Sequence, residues 1–225
     1  MTDFKRARQA DQKAVRRRAL LDAAAVLFDA GGPTGPGINA IAAHAGFTKS
    51  NIYRYFESRE HVLLELFLNE FDEFCSRVAL EIEKVEAGDV AGVADAITQG
   101  FVLRPRLCRL VAIFGTVLEQ NVSAATIEAI KTVLRDLTEP LVESMARGLR
   151  CAEIEDCHWA FAMTTSLLAG MWPGVSLAQS VASVLEQPQF ARMSLSLDRE
   201  FRRAVVALLS SITESGLPSR PLAEA

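Results

Sequence analysis

Residues 38–56 carry the pattern that most restricts the fold of this chain. The apolar residues at the start of the segment recur at helical spacing, which predicts a short helix with one apolar face. Gly46 then stands where a positive φ would end that helix, and Thr48 is a suitable N-cap for a second one. Ile52 and Phe56 lie four residues apart, so both face inward from the second helix. The segment therefore predicts a helix-turn-helix.

Polar and aromatic side chains occupy the outward face of the predicted second helix. They are Lys49, Ser50, Asn51, Tyr53 and Tyr55. Amine, amide and hydroxyl groups form hydrogen bonds with base edges, and an aromatic ring can pack against a thymine methyl group. This helix is therefore a candidate recognition helix for the major groove of DNA.

Charge is distributed unevenly along the chain. Residues 1–60 contain ten Lys and Arg against six Asp and Glu, a net charge of +4, whereas the overall charge is −4. A basic end on an acidic body favours a polyanionic partner for one part of the molecule; the alternative is a solvated basic tail with no partner. Most of the positive excess comes from Lys5, Arg6, Arg8, Lys13, Arg16, Arg17 and Arg18.

The run from about Val15 to Arg59 resembles the N-terminal domain of the TetR (tetracycline-repressor) family of bacterial transcription regulators. The matching blocks are residues 19–28, Gly32, Ile41-Ala42, Ala45-Gly46 and Asn51–Phe56. Two positions depart from the usual pattern: Gly37 replaces the Ser or Thr cap of the second helix, and Arg59 stands where Lys is commoner. The resemblance implies an all-α protein with an N-terminal helix-turn-helix domain, residues 1–58, and a larger ligand-binding and dimerisation domain, residues 59–225.

The resemblance also implies a role for each residue of the helix-turn-helix. Lys49, Ser50, Asn51 and Tyr53 match the base-reading positions, with Lys49 suited to guanine, Asn51 to adenine and Tyr53 to a thymine methyl group. Three further residues match phosphate-holding positions, and one in the preceding helix is expected to reach the DNA backbone. These are Thr48, Tyr55 and Arg59, and Asn39. Residues 16–18 are expected to add phosphate contacts.

Helical patterns account for the rest of the chain, and no alternating run predicts a strand. Glycine, proline and asparagine mark the breaks between helices. The predicted helices are 12–30, 59–87, 89–102, 105–119, 123–148, 153–171, 176–187 and 197–215. The long helix 59–87 is the natural lever between the two domains.

Residues 158–185 contain no Asp, Glu, Lys or Arg and are long enough to cross a bilayer. Hydroxyl and amide residues dilute this run, and Pro173-Gly174 breaks it, so we expect a buried helix. The four cysteines form no Cys-x-x-Cys pair, which fits a reducing cytoplasm. No metal-ligand cluster, phosphate loop or nucleophile–base arrangement is visible, so we expect no metal, cofactor, catalytic residue or enzymatic activity.

Two faces of the C-terminal helices are candidates for a homodimer interface, and one apolar set is a candidate for a ligand pocket. For each set the alternative is that the residues fill the core of the monomer. The interface candidates are Trp159, Met163, Leu167, Phe201, Val205, Leu208 and Ile212. The pocket candidates are Phe101, Leu103, Leu107, Phe114, Leu118, Met145, Met163 and Trp172.

The leading hypothesis is a homodimeric repressor that leaves a palindromic operator in double-stranded DNA when a mostly apolar small molecule binds it. Release requires a state whose recognition helices no longer match successive major grooves, about 34 Å apart. One alternative is an all-helical ligand-binding or enzymatic protein with an incidental helix-turn-helix. Another is a constitutive DNA binder without an effector. A ligand-induced melting shift favours the first over the last, and substrate turnover favours the second.

Overall fold

The computed structural model of the protein describes residues 2–35, 37–150 and 153–213, and within these it leaves the side chains of 2–11 and Thr34 undescribed. All regular structure in the described residues is helical, and no strand is present among them, which confirms the all-α prediction. The helices are α1 (Thr2–Gly31), α2 (Ile38–His44), α3 (Lys49–Ile52), α4 (Arg59–Ile82), α5 (Val90–Val102), α6 (Pro105–Ile113), α7 (Ala124–Leu149), α8 (Ile154–Val175), α9 (Gln179–Leu185) and α10 (Arg202–Thr213).

Four irregular helical segments complete the order of elements among the described residues. They are two 3₁₀ segments and two π turns: Gly32–Thr34 and Pro188–Met193, and Phe114–Leu118 and Leu197–Phe201. The first π turn continues α6, and the second leads directly into α10. Residues 105–118 and 197–213 therefore correspond to single predicted helices whose winding changes along their length.

The helix between residues 59 and 87 is shorter than predicted. It ends at Ile82 rather than near Gly88, and a turn follows it. Gly88 has φ of +97°, and its N–H donates to the carbonyl of Gly148 at 2.7 Å. That bond stabilises the reversal of the chain after α4. Gly88 therefore belongs to the loop and does not mark the end of the helix.

The chain divides into two compact units, each made of two segments of the sequence. The first unit comprises Met1–Glu70 and Ile113–Val133, and the second comprises Phe71–Ala112 and Leu134–Ala225. Within the first unit, the rings of Phe67 on α4 and Phe114 have their centroids 4.7 Å apart. Fully or almost fully buried side chains from α1 to α4 form its core; they include Leu20, Ala24, Phe28, Ile41, Ile52, Phe56, Val62 and Leu63.

Phenylalanine side chains organise the core of the second unit. Phe74 stacks on Phe101 with a centroid separation of 4.2 Å, and Phe101 meets Phe201 edge-on at 5.9 Å. The ring centroid of Phe161 on α8 lies 6.3 Å from that of Phe74. An ion pair between Arg202 and Asp95 also joins α10 to α5. The predicted apolar helices of this part of the chain therefore pack against one another.

No single helix among the described residues is both long and apolar enough to cross a membrane. Helices α8 and α9 meet that requirement only together, across a bend of 88°. The break falls at residues 176–178, since α8 continues through Pro173 to Val175.

Candidate nucleic-acid interface

The turn of the helix-turn-helix has the geometry that the sequence predicts at Gly46. This residue has φ of +75°, and its N–H donates to the carbonyl of Ala43 at 3.1 Å. The next N–H, that of Phe47, donates to the carbonyl of Ala42 at 2.8 Å. These two bonds form a Schellman motif, which satisfies the last carbonyls of α2 and fixes the direction in which the chain leaves it.

Neither α2 nor α3 has a side-chain cap at its N-terminus. Gly37 and Thr48 both have extended backbones at the N-cap positions of α2 and α3, and neither provides a side-chain cap. Instead, the hydroxyl groups of Thr48 and Ser50 lie 3.1 Å apart. The sequence-based prediction that the Thr48 hydroxyl caps α3 is therefore wrong, and this hydroxyl lies on the exposed surface beside Ser50.

The side chains of α3 and of the turn after it are buried on one face and exposed on the other, as predicted. Ile52 is fully buried and Phe56 is 1% exposed, so they anchor the segment to the core. The Tyr53 side chain is 48% exposed. Exposed or half-buried side chains surround it: Lys49 and Ser50 are exposed, as are Asn39 and Thr48, and Asn51 and Tyr55 are half-buried. All eight predicted DNA-contacting residues, including Arg59, are thus exposed at least in part.

Arg59, the eighth, is engaged inside the first unit. Its guanidinium donates a hydrogen bond to the carbonyl of Pro33, and it lies 3.6 Å from the Glu60 carboxylate. The side chain is only 22% exposed. The guanidinium of Arg59 thus fastens α4 to the loop between α1 and α2, and the phosphate role expected for it stays a prediction.

Arg17 is also committed within the protein rather than free to meet a phosphate. Its guanidinium forms two hydrogen bonds with the Glu65 carboxylate, one of them at 2.8 Å, and lies 5.2 Å from the centroid of the Phe56 ring. Arg16 is exposed, and Arg18 pairs with Asp22 on the surface at 3.0 Å. Of residues 16–18, Arg16 and Arg18 therefore remain the candidates for phosphate contacts. Lys5, Arg6 and Arg8 lie outside the described side chains.

A histidine extends this network toward the end of α3. The Glu57 N–H donates to His61 Nδ1 at 3.3 Å, so Nε2 carries the proton that bonds Glu65 at 3.2 Å. Burial lowers the pKa of His61, which agrees with a neutral ring in this arrangement. Its ring also meets Phe56 edge-on at 5.4 Å. The network therefore fixes the position of the chain immediately after the recognition helix.

Glu57 makes a contact that the sequence pattern did not reveal. Its carboxylate accepts a hydrogen bond from the N–H of Ser123 at 2.8 Å, directly before α7. This bond lowers the pKa of Glu57. The two residues are 66 positions apart, so only the tertiary fold brings them together.

The residues proposed for a ligand pocket do not form one set in the structure. Phe101, Leu107 and Met145 are fully buried in the second unit, whereas Phe114 and Leu118 belong to the first. Leu103 is 74% exposed and Met163 is 38% exposed, and Trp172 is half-buried. Leu103 is therefore excluded as a buried pocket residue, because its side chain projects from the end of α5 into solvent.

The interface candidates divide between core and surface. Phe201, Val205 and Ile212 pack inside the protomer, so the structure corrects their assignment to a dimer surface. Trp159 and Met163 are exposed on α8, while Leu167 and Leu208 are half-buried. The small residues Ala162, Ser166 and Gly170 share the exposed face of α8 with Trp159 and Met163.

Family comparisons cover both parts of the chain. Residues 20–66 match the family described as bacterial regulatory proteins, tetR family, and residues 68–214 match the tetracyclin repressor-like C-terminal domain. The chain belongs to the TetR family. Its helix-turn-helix is that of a DNA-binding transcription regulator, and ligand binding and homodimer formation are typical of the family.

An uncharacterized HTH-type transcriptional regulator of Mycobacterium tuberculosis (strain H37Rv) is 31% identical over 189 residues, which cover 82% of this chain and 88% of the relative. Two solved structures share the fold with a TM-score of 0.55. One is the transcriptional regulator FadR of Bacillus subtilis in complex with stearoyl-CoA, 18% identical, covering 86% of this chain and 97% of that one. The other is a TetR regulator of Rhodococcus sp. RHA1, 16% identical, covering 88% and 97%.

Proposed function

We propose that this TetR-family regulator is a cytoplasmic, homodimeric repressor without enzymatic activity, which a mostly apolar small molecule releases from a palindromic operator. The observation that carries the DNA-binding part is the outward face of α3 and its turn. Lys49, Asn51 and Tyr53 present an amine, an amide and an aromatic ring from one short segment, while Ile52 and Phe56 hold its other face in the core. Lys49 and Asn51 read guanine and adenine, and Tyr53 contacts a thymine methyl group.

Phosphate contacts position this face on the duplex. We assign them to Thr48 and Tyr55 beside α3 and to Asn39 on α2, with Arg16 and Arg18 adding charge from α1. Arg59 supports the loop before α2 instead of touching DNA. Salt sensitivity should therefore arise mainly from the basic part of α1.

The homodimer forms through the exposed face of α8. Trp159 and Met163 supply large apolar surface, and the small residues on the same face, Ala162 and Ser166, allow a second helix to approach closely. An isologous contact of this kind gives the two-fold symmetry that a palindromic operator requires. Leu208 of α10 is half-buried at the margin of the protomer's own core, and its exposed part adds to the dimer interface.

The effector binds within the apolar second unit. One buried polar atom there has no partner: the Thr98 hydroxyl is fully buried and forms no hydrogen bond with the described residues. Such an unsatisfied group is uncommon in a protein core, and a polar atom of a ligand would satisfy it. FadR, which has the same fold, was solved with stearoyl-CoA, and this supports a ligand with a long apolar part.

Selection of bound duplexes from a random DNA pool at two salt concentrations tests the DNA-binding proposal. An enriched inverted repeat is expected from the wild-type protein. The Asn51→Ala variant should still bind but should lose preference at one or two base pairs of each half-site, at a cost of about 1–3 kcal/mol. An equal loss on enriched and random duplexes would remove Asn51 from the base-reading set.

The nearest alternative is a constitutive DNA binder whose second unit serves dimerisation alone. A thermal-shift screen with apolar small molecules, including long-chain acyl compounds, separates the two functions. A compound that raises the melting temperature and lowers operator affinity supports the effector. Compounds that stabilise the protein without changing operator affinity would favour the constitutive binder.

A further inference from the structure

The N-terminus of α7 is capped by residues from two distant parts of the sequence. The Ser123 hydroxyl accepts a hydrogen bond from the N–H of Thr126 at 3.2 Å, as an N-cap serine does. In a capping box, an acidic side chain at the third helical position would accept the N–H of the N-cap residue. Thr126 occupies that position here and has no carboxylate. The Glu57 carboxylate takes this role and accepts the Ser123 N–H at 2.8 Å.

Glu57 lies between two fixed points of the DNA-binding segment. Phe56 before it is buried in the core, and the Ser58 hydroxyl after it accepts the N–H of His61 at 3.1 Å, which caps α4. A displacement of Glu57 must therefore move the end of the recognition segment or the start of α4. The same carboxylate is attached to the first turn of α7.

Helix α7 begins in the first unit and ends in the second, and it is continuous from Ala124 to Leu149. We propose that Glu57 is a positioning residue that couples the N-terminal turn of α7 to the recognition segment, residues 48–56. A change in α7 alters the orientation of that segment through this one carboxylate. The effect of this coupling on DNA affinity rests on the proposed function. The contact between Glu57 and Ser123 does not, and it lies wholly within the first unit.

Three variants separate the coupling from simple helix capping. Glu57→Ala removes the acceptor, and Ser123→Pro removes the donor, because proline has no N–H and is tolerated at the start of a helix. Ser123→Ala keeps the N–H that Glu57 accepts and loses the hydroxyl, which caps α7 and also interacts with the Glu57 carboxylate, so it measures the contribution of the hydroxyl alone. Glu128→Gln, an exposed position on α7, controls for the loss of one negative charge.

Amide hydrogen exchange on the free protein tests the coupling without DNA. Exchange in residues 48–56 should accelerate in both Glu57→Ala and Ser123→Pro, although position 123 is remote in sequence from that segment. Glu128→Gln should match the wild type there, and Ser123→Ala, which keeps the N–H donor, should exchange more slowly than Ser123→Pro. Unchanged exchange in residues 48–56 of Ser123→Pro, with α7 still folded, would overturn the proposal.

Affinity for the enriched duplex then tests the functional consequence. Glu57→Ala and Ser123→Pro should each weaken binding by about two- to tenfold, the range for one typical intramolecular hydrogen bond. The double variant should lose no more than either single variant, because both remove the same contact. Additive losses would overturn the coupling. If the wild-type protein enriches no duplex, the proposed function fails, while the exchange result still decides the coupling.

Discussion

Replacing Arg59 with methionine separates a structural role from a phosphate-binding role. Methionine keeps an unbranched apolar side chain but loses the hydrogen bond to the Pro33 carbonyl and the nearby Glu60 carboxylate. A hydrogen bond from a charged donor contributes about 1.5–3 kcal/mol. Partial solvent exposure reduces that value, and removal of Arg59 Nε, which is buried without a partner among the described residues, offsets part of the loss. We expect the first unit to lose about 1–2 kcal/mol.

The positions of the aromatic residues make this loss measurable in each unit separately. The chain has two tyrosines, Tyr53 and Tyr55 in the first unit, and two tryptophans, Trp159 and Trp172 in the second. Fluorine NMR of fluorotyrosine- and fluorotryptophan-labelled protein therefore follows the unfolding of each unit in urea. The tyrosine midpoint should fall by about 0.5–1 M, given typical urea dependences of about 1–3 kcal/mol per M.

The salt dependence of DNA binding provides the opposing test for Arg59. A lost phosphate contact would reduce the slope of log affinity against log salt by about 1. We expect that slope to stay unchanged in Arg59→Met. Arg18→Met is the control, because Arg18 is exposed and its ion pair with Asp22 contributes little stability. An unchanged tyrosine midpoint together with a reduced salt slope would refute the structural role of Arg59.

Four further predictions concern the two units. Gly46→Ala should destabilise the first unit by about 1 kcal/mol in urea, because φ is +75° while no atom lies within 4 Å of the added Cβ; Gly46→Asn should cost less. Gly100→Ala should lower the free energy of unfolding of the second unit, followed through the tryptophan signals, by about 1–3 kcal/mol, since its Cβ would lie 2.8 Å from the Phe74 ring; an unchanged tryptophan midpoint would show that α5 moves freely. Met163→Asp should convert the dimer to monomer in sedimentation velocity, and a persistent dimer would move the interface away from α8. Contacts with Arg199 and Ser196 lower the pKa of Glu200 to about 2, so its stabilising contribution is complete above pH 4.5 and is lost as the pH falls toward 2; an NMR titration near 4.5 would contradict this.

Local chemistry explains why the helix-turn-helix could be predicted from sequence. Gly46 permits the positive φ that ends α2, and Ile52 and Phe56 define the buried side of the following segment. Both signals lie within a few residues of the structure that they determine. The exposed side of α3 follows from the same periodicity, so the candidate base-reading residues needed no tertiary information.

The partners of the charged residues could not be predicted in this way. Arg17 lies 48 residues from Glu65, and Arg59 lies 26 residues from Pro33. A basic residue near a helix-turn-helix has the same sequence signature whether it meets a phosphate or a carboxylate of its own chain. The contact between Glu57 and Ser123 depends on the fold for the same reason.

Periodicity also does not identify what covers an apolar helix face. Phe201, Val205 and Ile212 form one stripe of the segment 197–213, and this stripe fills the protomer core. The exposed face of α8 has a weaker pattern, because small residues separate Trp159 from the following apolar positions. For the dimer interface, sequence reasoning proposed one face of α8 and one of the segment 197–213, and in that segment it selected a stripe that is buried in the protomer.

Binding of the enriched duplex and of a scrambled duplex, each at two salt concentrations, tests base reading by α3 most directly. The proteins to compare are the wild type and the Lys49→Ala/Asn51→Ala double variant. We expect the wild type to prefer the enriched duplex strongly at both salt concentrations. The double variant should lose most of that preference while keeping its affinity for the scrambled duplex and its salt slope. Equal weakening on both duplexes, with the preference intact, would contradict sequence reading by this face.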